Sequence, residues 1–239
     1  MNELFEDYAK YHPGIKYYFS KQEYEAVSEG YYKIYGEFLP EDKDAKILDV
    51  GCGTGHFLYL LKKLGYTNYL GIDISKESVQ FCIEHITKNV QAADVYEFLK
   101  RHNNKWDLIV MNDVIEHIPK ERIVPILKLI YSNLVTGGVF IVKTVNMENP
   151  FCTYTRYHDF THEIGFTGNS LIQVLKMSGF NDMSIYPYEA PKNYTYMIRK
   201  VVRWIIWRLI SLGFSFPPEK NKQRIIHTKL IFAVAKKSL

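Results

Sequence analysis

The run Ile47-Leu48-Asp49-Val50-Gly51-Cys52-Gly53-Thr54-Gly55, followed by Gly71-Ile72-Asp73-Ile74, constrains this chain more than any other feature. It reads as a buried strand, a glycine turn, a helix and a second strand that ends in a carboxylate. Glycine has no Cβ, so such a turn is tight and lets a ligand approach the backbone closely. A turn that seats a pyrophosphate on the helix N-terminus has the spacing G-x-G-x-x-G. Here that third position is His56, so the expected ligand has no phosphate.

Three further strand ends carry polar groups. Asp73 can take both hydroxyls of a ribose, and Asp94, after the Asn89–Ala92 run, can accept from an adenine amino group. Trp106–Asn112 reads as a fourth strand that ends at the same edge. Open α/β sheets bind ligands at their carboxyl edge, so these positions define one candidate site.

With these residues in place, segment 44–145 resembles the class I S-adenosylmethionine-dependent methyltransferases. The resemblance rests on the Asp49–Gly55 loop, Asp73, Asp94 with Val95, and Asn112-Asp113-Val114-Ile115-Glu116-His117-Ile118. Leu134-Val135-Thr136-Gly137-Gly138 stands where that family usually has L-x-P-G-G, with Thr136 in place of the proline. The resemblance implies S-adenosyl-L-methionine as cofactor. It places Asp49, Gly51, Cys52, Gly53, Gly55, Asp73, Ile74, Asp94, Val95, Asn112 and His117 around that cofactor.

Alternating strand and helix signals up to about residue 145 give an α/β fold with a doubly wound, mostly parallel sheet. Helices are expected over 21–39, 55–64, 75–87, 95–101, 120–135 and 170–178. Later strands are expected over 139–144, 183–188 and 229–235. In the resembled Rossmann-like fold the last of seven strands runs antiparallel. The whole chain reads as one domain: an N-terminal helical leader (1–40), a cofactor-binding core (44–145), and an acceptor segment with an amphipathic helix and the final strands (146–239).

Residues 149–167 read as a long loop dense in polar and aromatic groups, and such loops are often functional. Tyr154, Arg156, Tyr157 and His158 are the substrate-binding candidates. The run Asp159-Phe-Thr-His-Glu-Ile-Gly-Phe-Thr is similar to one in bacterial methyltransferases of surface-polysaccharide biosynthesis. That similarity implies a glycan or glycan-precursor acceptor. A sugar hydroxyl attacks a methyl group well only if its proton has somewhere to go. His162, with Asp159 fixing its tautomer, is the favoured base; His117 is either a base or a structural group. Asp113-x-x-Glu116-His117 is also similar to the E-x-x-E-H of ubiquinone-pathway O-methyltransferases, which is associated with a divalent metal. Asp113 is shorter than the glutamate it replaces, and no metal is assigned on this basis.

Charge divides the chain. From Lys192 onward there are eleven Lys and Arg against Glu219 alone, whereas the preceding residues hold 19 basic and 25 acidic side chains. The basic tail suits an anionic partner. Within it, Tyr194–Leu212 has cations that interrupt its apolar run too often for a membrane span. Trp204 and Trp207 flanked by arginines fit an interfacial helix. Residues 194–224 are therefore expected to contact a membrane surface or anionic lipid, or else to pack on the protein's own body or on a second copy in a homodimer. Three scattered cysteines and no secretory apolar region at the N-terminus suit a cytoplasmic protein, at most peripheral to the inner membrane face.

The expected function is O-methylation of a sugar hydroxyl of a surface polysaccharide or of its nucleotide- or lipid-linked precursor. The alternatives are O- or N-methylation of a quinone-precursor-like small molecule, and a non-catalytic subunit that only holds the cofactor. Nucleic acid is not an expected partner, because strand four ends in Asn-Asp-Val-Ile and no RNA-binding module is evident.

Overall fold

The computed structural model describes residues 17–102, 105–149, 151–189, 197–198, 201–202, 204–206, 208–209 and 226–238. Seven strands form one sheet: β1 (Ile47–Val50), β2 (Tyr69–Asp73), β3 (Val90–Ala92), β4 (Trp106–Asn112), β5 (Leu134–Val145), β6 (Asp182–Tyr188) and β7 (Leu230–Lys236). Their order is β3-β2-β1-β4-β5-β7-β6. The first five pair in parallel, and β7 lies antiparallel to both β5 and β6. This is the expected doubly wound sheet with an antiparallel last strand.

The described helices are α1 (Lys21–Tyr35), α2 (His56–Lys63), α3 (Lys76–His85), α4 (Val95–Arg101), α5 (Lys120–Asn133), α6 (Cys152–Tyr157) and α7 (Gly168–Met177). They cover both faces of the sheet. One apolar cluster joins Leu48, Val50, Ile109 and Met111 to Phe98, Ile126, Ile130, Leu171 and Leu175 from α4, α5 and α7. The other joins Ile47, Leu108 and Val110 to Tyr24, Tyr35, Phe57, Leu61 and Phe81 from α1, α2 and α3. Alternate residues of each central strand thus serve opposite faces, as a twofold side-chain period requires.

Several element ends are set by side chains. Ser20, Ser75, Asp94 and Thr167 each accept a backbone N–H in the first turn of the following helix. Two boundaries differ from expectation. Strand β5 begins at Leu134 rather than 139, because Gly137 at φ 79° absorbs a register shift that lets Leu134 pair with Trp106. Segment 149–167 is not all loop. Asn149 accepts from the N–H groups of Phe151 and Cys152, and this turn starts helix α6.

Residues 1–16 of the N-terminal leader lie outside the described residues, as does most of 194–224. Within that tail, 197–198, 201–202, 204–206 and 208–209 are helical. No helix among the described residues is long and apolar enough to cross a membrane.

Candidate active site

Two cavities, of about 470 Å³ and 560 Å³, open at the carboxyl edge on either side of the glycine turn, and both are lined by Gly51, Gly53, Ser78 and Asp113. The turn is locked to the next strand by Gly51 N–H and Cys52 N–H, which both donate to the Ile72 carbonyl at 2.8 and 3.0 Å. Gly51 has φ 69°, and a Cβ there would sit 2.2 Å from Val114 Cγ2. No other residue fits this position without moving the turn.

The carboxylate of Asp73 is held by Gly53 N–H on Oδ2 and by Ser75 N–H on Oδ1, both at 2.8 Å. The residue lines the first cavity together with Ile74, Asp94 and Val95. Burial raises the Asp73 pKa, against the pull of these N–H donors. Asp94 has a heavier load than the sequence suggests. Its Oδ1 caps α4 through Tyr96 and Glu97, and both its oxygens meet Arg122 at 3.3 Å. It reaches the cavity wall as a helix cap in an ion pair.

Asp49 and Asn112 line the second cavity. Burial, with Asp73 nearby, pushes the Asp49 pKa up to about 8. Asn112 Oδ1 accepts from Tyr35 O–H at 2.8 Å, while its Nδ2 is buried without an acceptor among the described residues. Two of the expected cofactor residues also carry structural tasks. Cys52 lines the second cavity, while its thiol lies beneath Gly71 and beside Cys82. Gly55 lines neither cavity; it is the left-handed N-cap of α2, packed against Cys82.

At the far end of the first cavity stand Glu116, His117, His158, Asp159 and His162. Asp159 serves both histidines rather than His162 alone: it bears electrostatically on His162, whose backbone N–H donates to its carbonyl, and it reaches His117 through Thr161. Thr161 Oγ1 donates to Asp159 Oδ1 at 2.8 Å and lies 2.9 Å from His117 Nδ1. Since the threonine proton is spent on Asp159, His117 Nδ1 must donate, which puts the lone pair on Nε2. Asp159 thus acts on His117 through Thr161. His162 Nδ1 faces the Arg156 carbonyl at 3.2 Å, so this ring too has its lone pair on Nε2. The rings lie 4.8 Å apart, centroid to centroid. Burial and the neighbouring His162 lower the His117 pKa to about 4, and burial lowers that of His162. Both are neutral bases near pH 7.

The substrate candidates divide. Of Tyr154, Arg156, Tyr157 and His158, only His158 lines the cavity. Tyr154 and Tyr157 occupy the outer face of α6 and are exposed. Arg156 folds back onto the carbonyls of His162 and Glu163 and pins the loop. The chain instead places Thr155 and Lys229 in the lining, neither of which a local motif marks.

Asp113 also departs from the motif reading. At φ 54° it directs its carboxylate to Lys143, 2.6 Å away. Burial opposes the charge on Lys143, but Asp113 with Tyr31 and Tyr188 outweighs it and holds the pKa above its ordinary value. Glu116, by contrast, is buried and accepts from Thr144 O–H at 3.0 Å; burial and Asp113 raise its pKa to about 8.

A family described as a methyltransferase domain matches residues 41–198. The chain belongs to that family. This methyltransferase is 32% identical over 109 residues to a ribosomal protein L11 methyltransferase of Thermosipho melanesiensis, covering 42% of each chain. It is 26% identical over 136 residues to a mitochondrial ubiquinone biosynthesis O-methyltransferase of Dictyostelium discoideum, covering 48% of this chain and 41% of that one. It therefore spans less than half the length of these curated relatives. Among solved structures, a SAM-dependent methyltransferase from Archaeoglobus fulgidus superposes with a TM-score of 0.67 at 25% identity, over 90% of this chain and 94% of that one.

The chain is a methyltransferase domain of the S-adenosylmethionine-dependent kind, and its residues fit that cofactor. Gly53 leaves open space beside the backbone, Asp73 presents a carboxylate at a strand end, and the buried Asn112 Nδ2 needs an acceptor. When bound, the cofactor supplies an electrophilic methyl group on a sulfonium. Asp73, Ile74, Asp94 and Val95 would hold its nucleoside end, with Asp49 and Asn112 near its amino-acid end.

Proposed function

We propose that this methyltransferase acts on oxygen, and that its acceptor is a sugar hydroxyl of a surface polysaccharide or of a nucleotide- or lipid-linked precursor. The observation that carries the reading is the His117–His162 pair. Two neutral imidazoles, each with its Nδ1 hydrogen fixed on an oxygen, line the same cavity as Asp73 and Asp94. A hydroxyl placed there loses its proton next to the methyl donor, and alignment supplies much of the remaining acceleration. His158 and Lys229 at the cavity wall suit a polyhydroxylated or phosphate-bearing acceptor.

The second reading is a small phenolic acceptor. The apolar lining by Val114, Ile118, Val145 and Leu230 favours it, as does the similarity to ubiquinone O-methyltransferases. The test is methyl transfer from labelled S-adenosylmethionine to a panel of nucleotide sugars, lipid-linked saccharides and polyhydroxylated phenols. Transfer to phenols alone would discard the sugar reading.

The tail is the proposed membrane contact. Met197, Ile198, Val201, Val202, Trp204 and Leu209 are all exposed, in a segment rich in Arg and Lys. Co-sedimentation with vesicles that contain anionic lipid, lost in Trp204→Ala with Leu209→Ala, checks it. A dimer in solution without vesicle binding would assign this face to a second copy.

A further inference from the structure

Among the described residues, Glu116, His117 and His162 bring one donor atom each to within 4.8 Å of one another. We propose that these three side chains form a site for a divalent transition-metal ion at the acceptor end of the cavity. The inference rests on reading that end as the place where a hydroxyl acceptor binds. The ligand set differs from the one that the linear Asp113-x-x-Glu116-His117 pattern suggests. Asp113 is committed to Lys143, and His162 arrives from a segment more than 40 residues away.

The supporting structure around the donors argues for ligation independently of their proximity. A metal-bound imidazole commonly donates its other ring N–H to a protein oxygen, which fixes the tautomer and aims the lone pair. Both histidines do this: His117 onto Thr161, whose own proton goes to Asp159, and His162 onto the Arg156 carbonyl. Arg156 and Asp159 in turn hold the segment that carries His162. The Glu116 carboxylate is oriented by Thr144 O–H from β5. Ligand atoms around an ion with bonds of about 2.0–2.2 Å lie roughly 3–3.5 Å apart, so the trio must close by only about 1–2 Å.

Two imidazoles and one carboxylate favour Zn²⁺, Mn²⁺, Fe²⁺ or Co²⁺ over Mg²⁺ or Ca²⁺, which prefer oxygen throughout. Three protein ligands leave coordination positions open towards the cavity. An acceptor hydroxyl bound there becomes more acidic; its O–H bond breaks, the proton passes to water, and the electron pair stays on oxygen. With the ion in place the histidine lone pairs hold it, so water rather than imidazole takes the proton, and no change of oxidation state is needed.

The test uses the tag-free full chain, stripped with a chelator and titrated with Co²⁺, followed by calorimetry and visible absorption. The expected result is one ion per chain, with affinity lowered at least about 10-fold in His117→Ala and His162→Ala. Asp113→Asn should change it less than about twofold, and excess Mg²⁺ should fail to displace Co²⁺. Each variant is first shown to bind S-adenosylhomocysteine like the wild type; His162→Asn replaces His162→Ala if that variant does not. No saturable uptake, uptake unchanged in the His162 variant, or ready displacement by Mg²⁺ would each overturn the site. The function fails separately. Acceptor methylation undiminished in chelator, by a chain that takes up no Co²⁺, removes the ion and keeps O-methylation. Co²⁺ uptake with no acceptor methylated removes O-methylation and keeps the ion.

Discussion

The two ends of the first cavity are built in different ways. At the cofactor end, polar groups sit at strand ends and are fixed by backbone amides: Asp73 by Gly53 and Ser75, Asp94 by Tyr96 and Glu97. At the other end they come from separate segments and lean more on each other: His117 on the Thr161 hydroxyl and Thr161 on the Asp159 carboxylate, with His162 on the Arg156 backbone carbonyl while the Arg156 side chain grips the loop. A group anchored to the main chain keeps its place when its neighbours change. A group anchored through other side chains depends on all of them, so effects there are coupled and non-additive. The cofactor end should therefore fail residue by residue in binding, and the acceptor end as a unit in turnover.

The largest expected effect tests the first half of that contrast. Gly51→Ala forces a Cβ into Val114 at a left-handed backbone position, and should abolish S-adenosylhomocysteine binding in calorimetry. Asp73→Ala should weaken it by about 100-fold, the value of two hydrogen bonds to a charged group. Next come His117→Ala and His162→Ala. Each should lower methyl transfer by about 10²- to 10³-fold while cofactor affinity stays within about threefold. The double variant should be little worse than either single one, and strict additivity would show that the two rings work independently.

Thr161→Val is the sharper probe, because it removes no cavity-lining group. With the hydroxyl gone, Asp159 no longer fixes the His117 tautomer, and turnover should fall about 10-fold; Thr161→Ser should restore it. Equal activity in the valine variant would mean that the relay does not matter.

Asp49 gives a pH signature for the cofactor end. Its folded-state pKa is raised to about 8 from 3.8. The folded form holds the proton more tightly than the unfolded chain does, so this stability is present below about pH 4 and is lost as pH rises towards 8. Asp49→Asn should therefore raise Tm by a few degrees, more at pH 8 than at pH 5. The smallest effect belongs to Tyr157→Ser. That exposed residue on α6 should change KM by less than about threefold, despite its place in a motif-like run.

The same contrast explains what could be read in advance. Local chemistry was legible wherever a residue's task is set by its immediate neighbours. The glycine turn and the apolar runs of β1 and β4 announce themselves over a few positions. The ligand groups at the ends of β2 and β4 follow from the same strands. Asp94 was legible as a strand-end carboxylate but not as a partner of Arg122, which lies on another helix. Tyr154 and Tyr157 share a run with His158, yet the Asn149 turn winds that run into a helix and faces them outward.

The sequence alone determined the doubly wound sheet and its polar carboxyl edge, because both are written in short-range periodicity and turn residues; the antiparallel last strand came only as what the family resemblance implies. Only the tertiary structure decided which groups meet at the acceptor. It tied Asp159 to His117 through Thr161 as well as to His162, drew Asp113 to Lys143, and set His162 beside Glu116. Those pairings depend on where a loop crosses the sheet edge, which is fixed by packing between segments distant in the chain and leaves no local signature in any one of them.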